Sequence, residues 1–261
     1  MNHPVKMIPM HTEFPRVPTR PHIWRRSLAE FLGTALLVTV VVGSGIAAQR
    51  LSPDDGGLQL LQNSLATALG LAVLILLFAP VSGAHLNPVV SVADWLLGRR
   101  GGAGLALRDL APYVLAQTLG ALAGALLAGV MFDVPPALSA HERTGGGQLV
   151  GEVVATAGLV LLIFALARTG RGRMTPLAVG AYIGAAYWFT SSTSFANPAV
   201  TIGRMITDTF AGIAPNSVAP FVVAQCVGAG LGLALLLLLF PTPRAADHLG
   251  DPPHANPRKA L

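Results

Sequence analysis

The chain has 261 residues, of which 52% are hydrophobic and only 11% are charged, with a net charge of +5. About a quarter of the residues are charged in an ordinary soluble domain, so this composition excludes a typical water-soluble fold. The single cysteine, Cys226, excludes an internal disulfide and any multi-cysteine metal or iron–sulfur site.

Six stretches of the chain are long enough and apolar enough to cross a membrane. About 20 helical residues span a hydrocarbon core of about 30 Å. Each stretch holds at most one charged residue, and the mean hydropathy of the chain is +0.61. The sequence therefore predicts an all-α membrane protein with six transmembrane helices. The predicted spans are residues 27–49, 62–82, 110–132, 148–167, 174–191 and 219–240.

Two uncharged runs are too long for one span and too short for two. They extend for 38 residues between Asp55 and Asp94 and for 30 residues between Arg173 and Arg204. The surplus in each run begins with Asn-Pro and stays apolar for about ten residues, roughly half a bilayer. We therefore predict two re-entrant half-helices, at residues 85–97 and 197–206.

Both ends of the chain are rich in proline and basic residues. The first 24 residues lack the apolar segment of a cleavable signal peptide, and we expect both tails to be disordered. The predicted organisation is a tail at 1–24, a three-helix repeat at 25–131, a connecting loop at 132–147, a second repeat at 148–240 and a tail at 241–261.

The distribution of basic residues predicts the orientation in the membrane. Six spans place both termini on one side, and 14 of the 17 Lys and Arg residues lie on that side. Only Arg50, Arg143 and Arg204 lie opposite. Because positive residues favour the cytoplasmic side, we expect cytoplasmic termini and a cell (inner) membrane location. The sequence pI near 10.1 then reflects contact with the lipid bilayer, and no nucleic-acid partner is expected.

The two halves of the chain repeat each other. Three short motifs recur in the same order, namely Glu-x-x-(small)-Thr, Asn-Pro followed by apolar residues, and Ala-Gln-x-x-Gly-Ala. Each half holds three spans, an odd number, so the halves have opposite orientations, as in many channels and transporters. This symmetry brings the two Asn-Pro segments together at the membrane midplane. The matched segments are 30–34 with 152–156, 87–92 with 197–202, and 116–121 with 224–229.

An isolated Asn-Pro is an ordinary helix start, because Asn caps well and Pro suits the first helical position. Two copies at equivalent places inside uncharged stretches indicate a functional role, because irregular backbone at membrane depth must be buried in protein or line water. Two helix N-termini at the midplane present positive dipole ends that repel cations. We expect Asn87 and Asn197 to donate hydrogen bonds to the oxygen of a passing neutral molecule.

These motifs resemble those of the major intrinsic proteins, the aquaporin and aquaglyceroporin family, over about residues 24–240. The resemblance implies the aquaporin fold, homotetramers with one pore per subunit, and no cofactor. It implies that Glu30 and Glu152 accept hydrogen bonds from the re-entrant loops; protonated, merely packed glutamates are the alternative. It also implies that His85 holds loop geometry. The segments that carry it are Ala29-Glu-Phe-Leu-Gly-Thr34, Ser82-Gly-Ala-His-Leu-Asn-Pro88, Asn197-Pro-Ala199 and the repeated Ala-Gln-x-x-Gly-Ala.

The remaining half-helix residues give three smaller expectations. Pro88 and Pro198 belong to the half-helix scaffold, and no metal is expected at His85, because no second ligand stands at a useful spacing. Val89 stands where the family usually has Ala, so we expect its bulk to narrow or shift the pore centre slightly. Four glycines in two Gly-x-x-x-Gly pairs predict close helix crossings. These are Gly120 and Gly124 in the first repeat and Gly228 and Gly232 in the second.

The family's narrow outer constriction uses four positions counted from the two motif asparagines. In this chain the count gives Thr67, Ala185, Ser194 and Val200. Water-selective members place Phe, His and Arg among these positions, and glycerol channels keep Arg with aromatics. The resemblance thus implies a wider, uncharged filter, like that of bacterial channels associated with arsenic resistance. Arg204, four residues after Val200, lies on a similar face of the half-helix and is the candidate substitute for the missing arginine, but its distance of about 6 Å along the axis favours no substitution.

The main hypothesis is a passive channel for water and small uncharged solutes, namely glycerol-like polyols, metalloid hydroxides such as arsenous acid, and methylated arsenicals. An ion- or proton-coupled secondary transporter is the alternative from another class, because such proteins also use inverted repeats and broken helices. A water-selective aquaporin is the alternative within the family. An enzyme is not expected, because no nucleophile, base and orienting group form a recognisable pattern.

Overall fold

Apolar sequence runs become helices throughout the part of the chain that the computed structural model describes, residues 20–99 and 104–240. No strand occurs among these residues. The helices, numbered in chain order, are α1 Ile23–Leu51, α2 Gly56–Ser82, α3 Pro88–Gly98, α4 Leu107–Met131, α5 Gly146–Arg168, α6 Thr175–Phe189, α7 Pro198–Gly203 and α8 Pro215–Leu239. Two 3₁₀ turns, Gly172–Met174 and Arg204–Ile206, precede α6 and follow α7.

The all-α prediction is confirmed, with one difference in helix length. Among the described residues, five helices are long and apolar enough to cross a membrane: α1, α2, α4, α5 and α8. The sixth predicted span is shorter, because α6 has only 15 residues. Together with the 3₁₀ turn before it, α6 reaches about 28 Å, close to the thickness of a hydrocarbon core.

The two short helices lie where the Asn-Pro pairs predict half-helices. α3 has 11 residues, and α7 has six followed by the three-residue 3₁₀ turn. We call the side of the bundle that carries the start of α1 the terminal face and the side that carries its end the opposite face. The predicted tails at 1–24 and 241–261 lie outside the described residues, except for residues 20–24.

The long helices cross closely at the four predicted glycines. A Cβ atom at Gly124 of α4 would overlap the backbone carbonyl oxygen of Ala35 in α1. In the second repeat, a Cβ atom at Gly232 of α8 would overlap the carbonyl oxygen of Ala157 in α5. Gly120 and Gly228 are equally confined. The matching pairs α1–α4 and α5–α8 are the structural counterpart of the sequence repeat, and small residues are what allow the backbones to approach.

Large apolar side chains cover the outside of the bundle. In a soluble protein so many exposed leucines and valines would be unfavourable, but lipid is itself apolar, so they suit the surface of a membrane protein. Residues of this kind occur on every long helix. Examples are Leu36, Leu69, Leu115, Val150 and Leu237.

Candidate functional site

Each half-helix begins at an asparagine that caps it. Asn87 and Asn197 have extended backbones, and their side-chain oxygens accept hydrogen bonds from the N–H groups two residues on, at 3.1 Å and 3.0 Å. Pro88 and Pro198 follow at the first helical position, where the missing N–H costs nothing. Cap and proline together make each helix start at a fixed residue.

The same two asparagines connect the half-helices to each other. The Nδ2 of Asn87 donates to the carbonyl oxygen of Ala196 at 2.8 Å, and the Nδ2 of Asn197 donates to that of Leu86 at 2.7 Å. Since a side-chain amide carries two N–H groups, each asparagine keeps a second donor. The bond from each asparagine to the opposite loop was not predicted from the sequence.

The two buried glutamates bind the loops that lead into the half-helices. Glu30 accepts hydrogen bonds from the backbone N–H groups of His85 at 3.0 Å and Leu86 at 2.6 Å. Glu152 accepts the equivalent bonds from Phe195 and Ala196, both at 2.8 Å. Both side chains are fully buried. A buried carboxylate is tolerated where hydrogen-bond donors surround it, as they do here.

Two glutamines complete this arrangement, and the sequence analysis gave them no role. The Nε2 of Gln117 donates to Glu30 at 2.7 Å and to the Ser91 hydroxyl at 2.9 Å. The Nε2 of Gln225 donates to Glu152 and to the Thr201 hydroxyl in the same way. Both glutamines belong to the repeated Ala-Gln-x-x-Gly-Ala motif. Their signal was a polar residue recurring in an otherwise apolar helix.

The loops before the half-helices adopt an unusual backbone. Ala84, Leu86, Ser194 and Ala196 have φ angles of 49°, 49°, 51° and 47°, in the left-handed region that favours glycine. Such residues cost of order 1–3 kcal/mol each and persist only where surrounding contacts hold them. The glutamate and asparagine hydrogen bonds supply those contacts at repeat-equivalent places.

His85 lies at the edge of the half-helix contact. One ring nitrogen is 3.1 Å from the Ser91 hydroxyl, the other is 3.7 Å from Asp94, and the ring contacts Tyr113 edge-on. Within residues 20–99 and 104–240, no group of three or more His, Cys, Asp or Glu side chains could hold a metal ion.

A continuous cavity of about 930 Å³ runs along the half-helix contact. At the terminal face it begins beside Arg20 and Arg173; it passes Asn87 and Asn197 and ends towards the opposite face beside Arg204. The residues that line it belong to the loops before α3 and α7 and to the surrounding helices, and they include both polar and apolar side chains. The apolar lining includes Leu71, Ile75, Leu159, Ile163, Val179 and Ile183.

Val89 does not line this cavity. Its side chain is buried against Val160, Phe164 and Leu236, on the side of α3 that packs into the bundle. The next residue, Val90, faces the cavity instead. The expectation that the bulk of Val89 narrows the pore centre is therefore wrong, because successive helical residues point in different directions.

Three of the four predicted filter residues line the cavity towards the opposite face: Thr67, Ser194 and Val200. The fourth, Ala185, is exposed on the outside of α6, so its assignment was wrong. Tyr187 lines the cavity at this end, and its hydroxyl is 3.2 Å from that of Thr67. Two residues along a helix correspond to a rotation of about 200°, which places Ala185 on nearly the opposite side. This end of the cavity thus contains an aromatic ring, which the four counted positions did not predict.

Arg204 also borders the cavity, which the sequence analysis did not expect. It is 2% exposed, its Nε donates to the carbonyl oxygen of Ala211, and its guanidinium carbon lies 3.4 Å from the centre of the Phe195 ring. The position three residues after Asn197, where the family usually has arginine, is occupied by Val200. The prediction of a filter region free of positive charge is nevertheless wrong, because Arg204 lies at the end of the same cavity.

A second arginine lies against the same aromatic ring. The guanidinium of Arg143, from the loop after α4, is 5.0 Å from the Phe195 ring centre and donates to the carbonyl oxygens of Gly212 and Ser192. Burial lowers the pKa of Arg143, and the charge of Glu152 opposes this shift.

Comparison with known proteins identifies relatives over most of the chain. The family description "Major intrinsic protein" matches residues 18–196. The chain is 50% identical to the aquaglyceroporin AqpS of Rhizobium meliloti over 84% of this chain and 92% of that protein. It is 32% identical to the glycerol uptake facilitator protein of Pseudomonas aeruginosa, over 92% and 96% of the two chains. The crystal structure of the aquaglyceroporin from Plasmodium falciparum superimposes with a TM-score of 0.62, at 21% identity, over 82% of this chain and 95% of that one.

Proposed function

The chain belongs to the major intrinsic protein family, and from that membership we propose which solutes its pore conducts and which residues select them. Members of this family form passive channels, and the relatives named aquaglyceroporin and glycerol uptake facilitator make this chain a passive channel for small neutral solutes. We propose that it conducts water, glycerol-like polyols and metalloid hydroxides such as arsenous acid, with methylated arsenicals as further substrates.

The observation that carries this proposal is that one cavity passes both motif asparagines. Asn87 and Asn197 each use one amide N–H on the opposite loop and border the cavity with the rest of the side chain. The second N–H of each is the donor available to an oxygen atom in transit. Two donors at one level favour a hydroxyl-bearing or water-like molecule and offer nothing to a cation.

The two sides of the cavity suit a molecule that is polar along one edge only. Leucine, isoleucine and valine side chains form the apolar wall, and the loops before α3 and α7 form the polar one. A polyol presents hydroxyl groups on one edge and C–H groups on the other, so it can use both walls at once. Trihydroxy metalloids have the same hydroxyl donors and acceptors in a similar volume.

The contacts of the two glutamates argue against a proton-coupled transporter. Coupling requires a carboxylate that binds and releases a proton during transport. Glu30 and Glu152 each accept hydrogen bonds from two backbone N–H groups and one glutamine. Protonation would replace an acceptor with a donor facing these N–H groups. We propose that both are scaffold residues and that no cofactor or catalytic step is involved.

We further propose a homotetramer in the cell (inner) membrane with cytoplasmic termini. The topology predicted from the sequence puts 14 of the 17 Lys and Arg residues on the side of the termini, and the positive-inside rule assigns such a side to the cytoplasm. The exposed apolar side chains supply a surface for lipid and for neighbouring subunits. Protease protection of tagged termini in oriented vesicles, and cross-linking in native membranes, test these two points.

Stopped-flow light scattering of reconstituted liposomes tests the substrate range. Parent protein is compared with empty liposomes for water, glycerol and arsenous acid. We expect all three to enter faster than in empty liposomes. A protein that accelerates water alone would favour the water-selective alternative, and one that accelerates none of the three would contradict the proposed function.

A further inference from the structure

We propose that Arg204 is a specificity-determining residue of this channel, supplying a positive charge and hydrogen-bond donors that admit hydroxyl-bearing solutes and exclude cations. The proposal rests on the function proposed above, because it assumes that the cavity is the conduction path. Arg204 is not one of the four filter residues obtained by counting from the motif asparagines.

The first observation is that most donors of Arg204 have no partner among the described residues. The residue is 2% exposed and borders the cavity. Its one hydrogen bond to a described residue uses Nε, which donates to Ala211. A guanidinium carries five N–H groups, so the four on its two terminal nitrogens remain for a molecule in the cavity. The two terminal nitrogens are not among the fully buried side-chain atoms that lack a partner in the described residues, so they are accessible to a molecule in the cavity.

The second observation is an unpaired hydroxyl in the same wall. Ser194 is 3% exposed and borders the cavity, and its Oγ is buried without a hydrogen-bond partner among the described residues. A serine hydroxyl both donates and accepts, whereas arginine only donates. A molecule with hydroxyl groups offers acceptors to Arg204 and donors to Ser194. The class of ligand that fits is a neutral molecule with one or more hydroxyl groups.

The third observation is the local charge. Within residues 20–99 and 104–240, no carboxylate lies within 4.0 Å of Arg204 or Arg143. The groups that act electrostatically on Arg204 are Tyr187, Arg143 and Glu152, and both oxygens of Glu152 are already bound to loop N–H groups. This end of the cavity therefore carries excess positive charge. Such a charge in a narrow, partly desolvated path repels cations.

The position of Arg204 is fixed by contacts on two sides. Its guanidinium lies on the face of Phe195, and that ring is held edge-on by Phe221 at 5.3 Å. The backbone N–H of Phe195 donates to Glu152. The scaffold that shapes the loop therefore also positions the arginine.

The arrangement separates pore width from charge selection. Val200, which occupies the position where the family usually has arginine, leaves room for a larger solute. Arg204 lies four residues later, in the 3₁₀ turn that follows α7. The channel can thus combine a wide filter at Val200 with a positive barrier one turn farther towards the opposite face.

The test measures cation leak and glycerol entry in liposomes containing the parent, Arg204→Gln or Arg204→Lys. Arg50→Gln is the matched control, because Arg50 is an exposed arginine on the same face that does not border the cavity. We expect Arg204→Gln to raise proton and K⁺ leak about tenfold while glycerol still passes. Arg204→Lys and Arg50→Gln should keep the low leak of the parent.

Arg204→His gives a second reading that is independent of how well the glutamine variant folds. Because imidazole loses its charge near pH 6.5, this variant should leak cations more at pH 8 than at pH 5.5, relative to the parent at each pH. A parental leak in Arg204→Gln, or equal relative leaks of Arg204→His at the two pH values, would overturn the proposal. Absence of glycerol entry in the parent would instead refute the proposed function, and a raised leak in Arg204→Gln would still support Arg204 as the barrier.

Discussion

The side-chain amide of Asn87 donates a hydrogen bond to the backbone carbonyl oxygen of Ala196, 109 residues away along the chain. Asn197 returns the same bond to Leu86. These reciprocal bonds hold the tips of two half-helices from opposite halves of the protein against each other. We propose that they also fix the level in the membrane at which a solute meets both asparagines.

Replacement of either asparagine by aspartate should impair the pore. Aspartate has no N–H group, so the bond to the opposite carbonyl is lost and a negative charge faces that oxygen. We expect Asn87→Asp and Asn197→Asp to lower glycerol flux at least severalfold or to admit cations, measured in liposomes. Asn216→Asp, at an exposed position near the start of α8, is the matched control. Parental flux with no cation current in both variants would remove the pair from the mechanism.

Glu152→Gln should reduce stability rather than alter the pH dependence of transport. The introduced amide group would face the backbone N–H groups of Phe195 and Ala196, leaving buried donors opposed, at a cost of about 1–3 kcal/mol. Folded yield and thermal unfolding in detergent measure this effect. Flux should have the same pH profile in the folded fraction as in the parent. A well-folded variant that has lost a pH-driven uphill transport would support the coupled transporter instead.

Val200→Arg should narrow the channel. The substitution adds a planar cation beside Thr67 and Ser194, which border the same end of the cavity. Glycerol flux should fall at least about tenfold, a barrier increase of about 1.4 kcal/mol, while water flux falls less. Val200→Leu, which keeps the site apolar, serves as control. Equal glycerol flux in Val200→Arg and parent would show that Val200 does not line the constriction.

The face of α6 that lines the pore can be tested with two neighbouring residues. Tyr187→Ala removes a ring from the cavity and the hydroxyl partner of Thr67, so larger polyols such as erythritol should enter faster. Ala185→Leu changes the exposed side of the same helix and should leave all fluxes within about twofold of the parent. If Ala185→Leu changes solute flux and Tyr187→Ala does not, Ala185 lines the pore, as the count from the motif asparagines predicted.

The fold was largely predictable from the sequence because its signals are repeated. Two Asn-Pro pairs, two buried glutamates and two glycine pairs recur in matching order, and each pair has the same physical role in both halves. The length of α6 was harder to predict. The predicted span rested on the absence of charge, and the uncharged but polar residues Thr190 and Ser191 after Phe189 belong to the following loop. Absence of charge therefore does not show where the helix ends.

The constriction was less predictable because it depends on loop geometry. Counting from Asn197 to Ala185 assumes a fixed number of loop residues. If the loop differs by two residues, nearly the opposite side of the helix faces the pore. The distance argument against Arg204 assumed a regular helix. α7 ends at Gly203, and the chain continues as a 3₁₀ turn in which Arg204 reaches Phe195 and Ala211.

The central claim is that neutral solutes cross this pore passively, and labelled glycerol in proteoliposomes tests it most directly. Uptake is followed to equilibrium without a pH gradient and with gradients of either sign, beside empty liposomes. The account predicts faster entry than in empty liposomes and the same final internal concentration, equal to the external one, in all three conditions. Accumulation of glycerol above the external concentration under either gradient would contradict it.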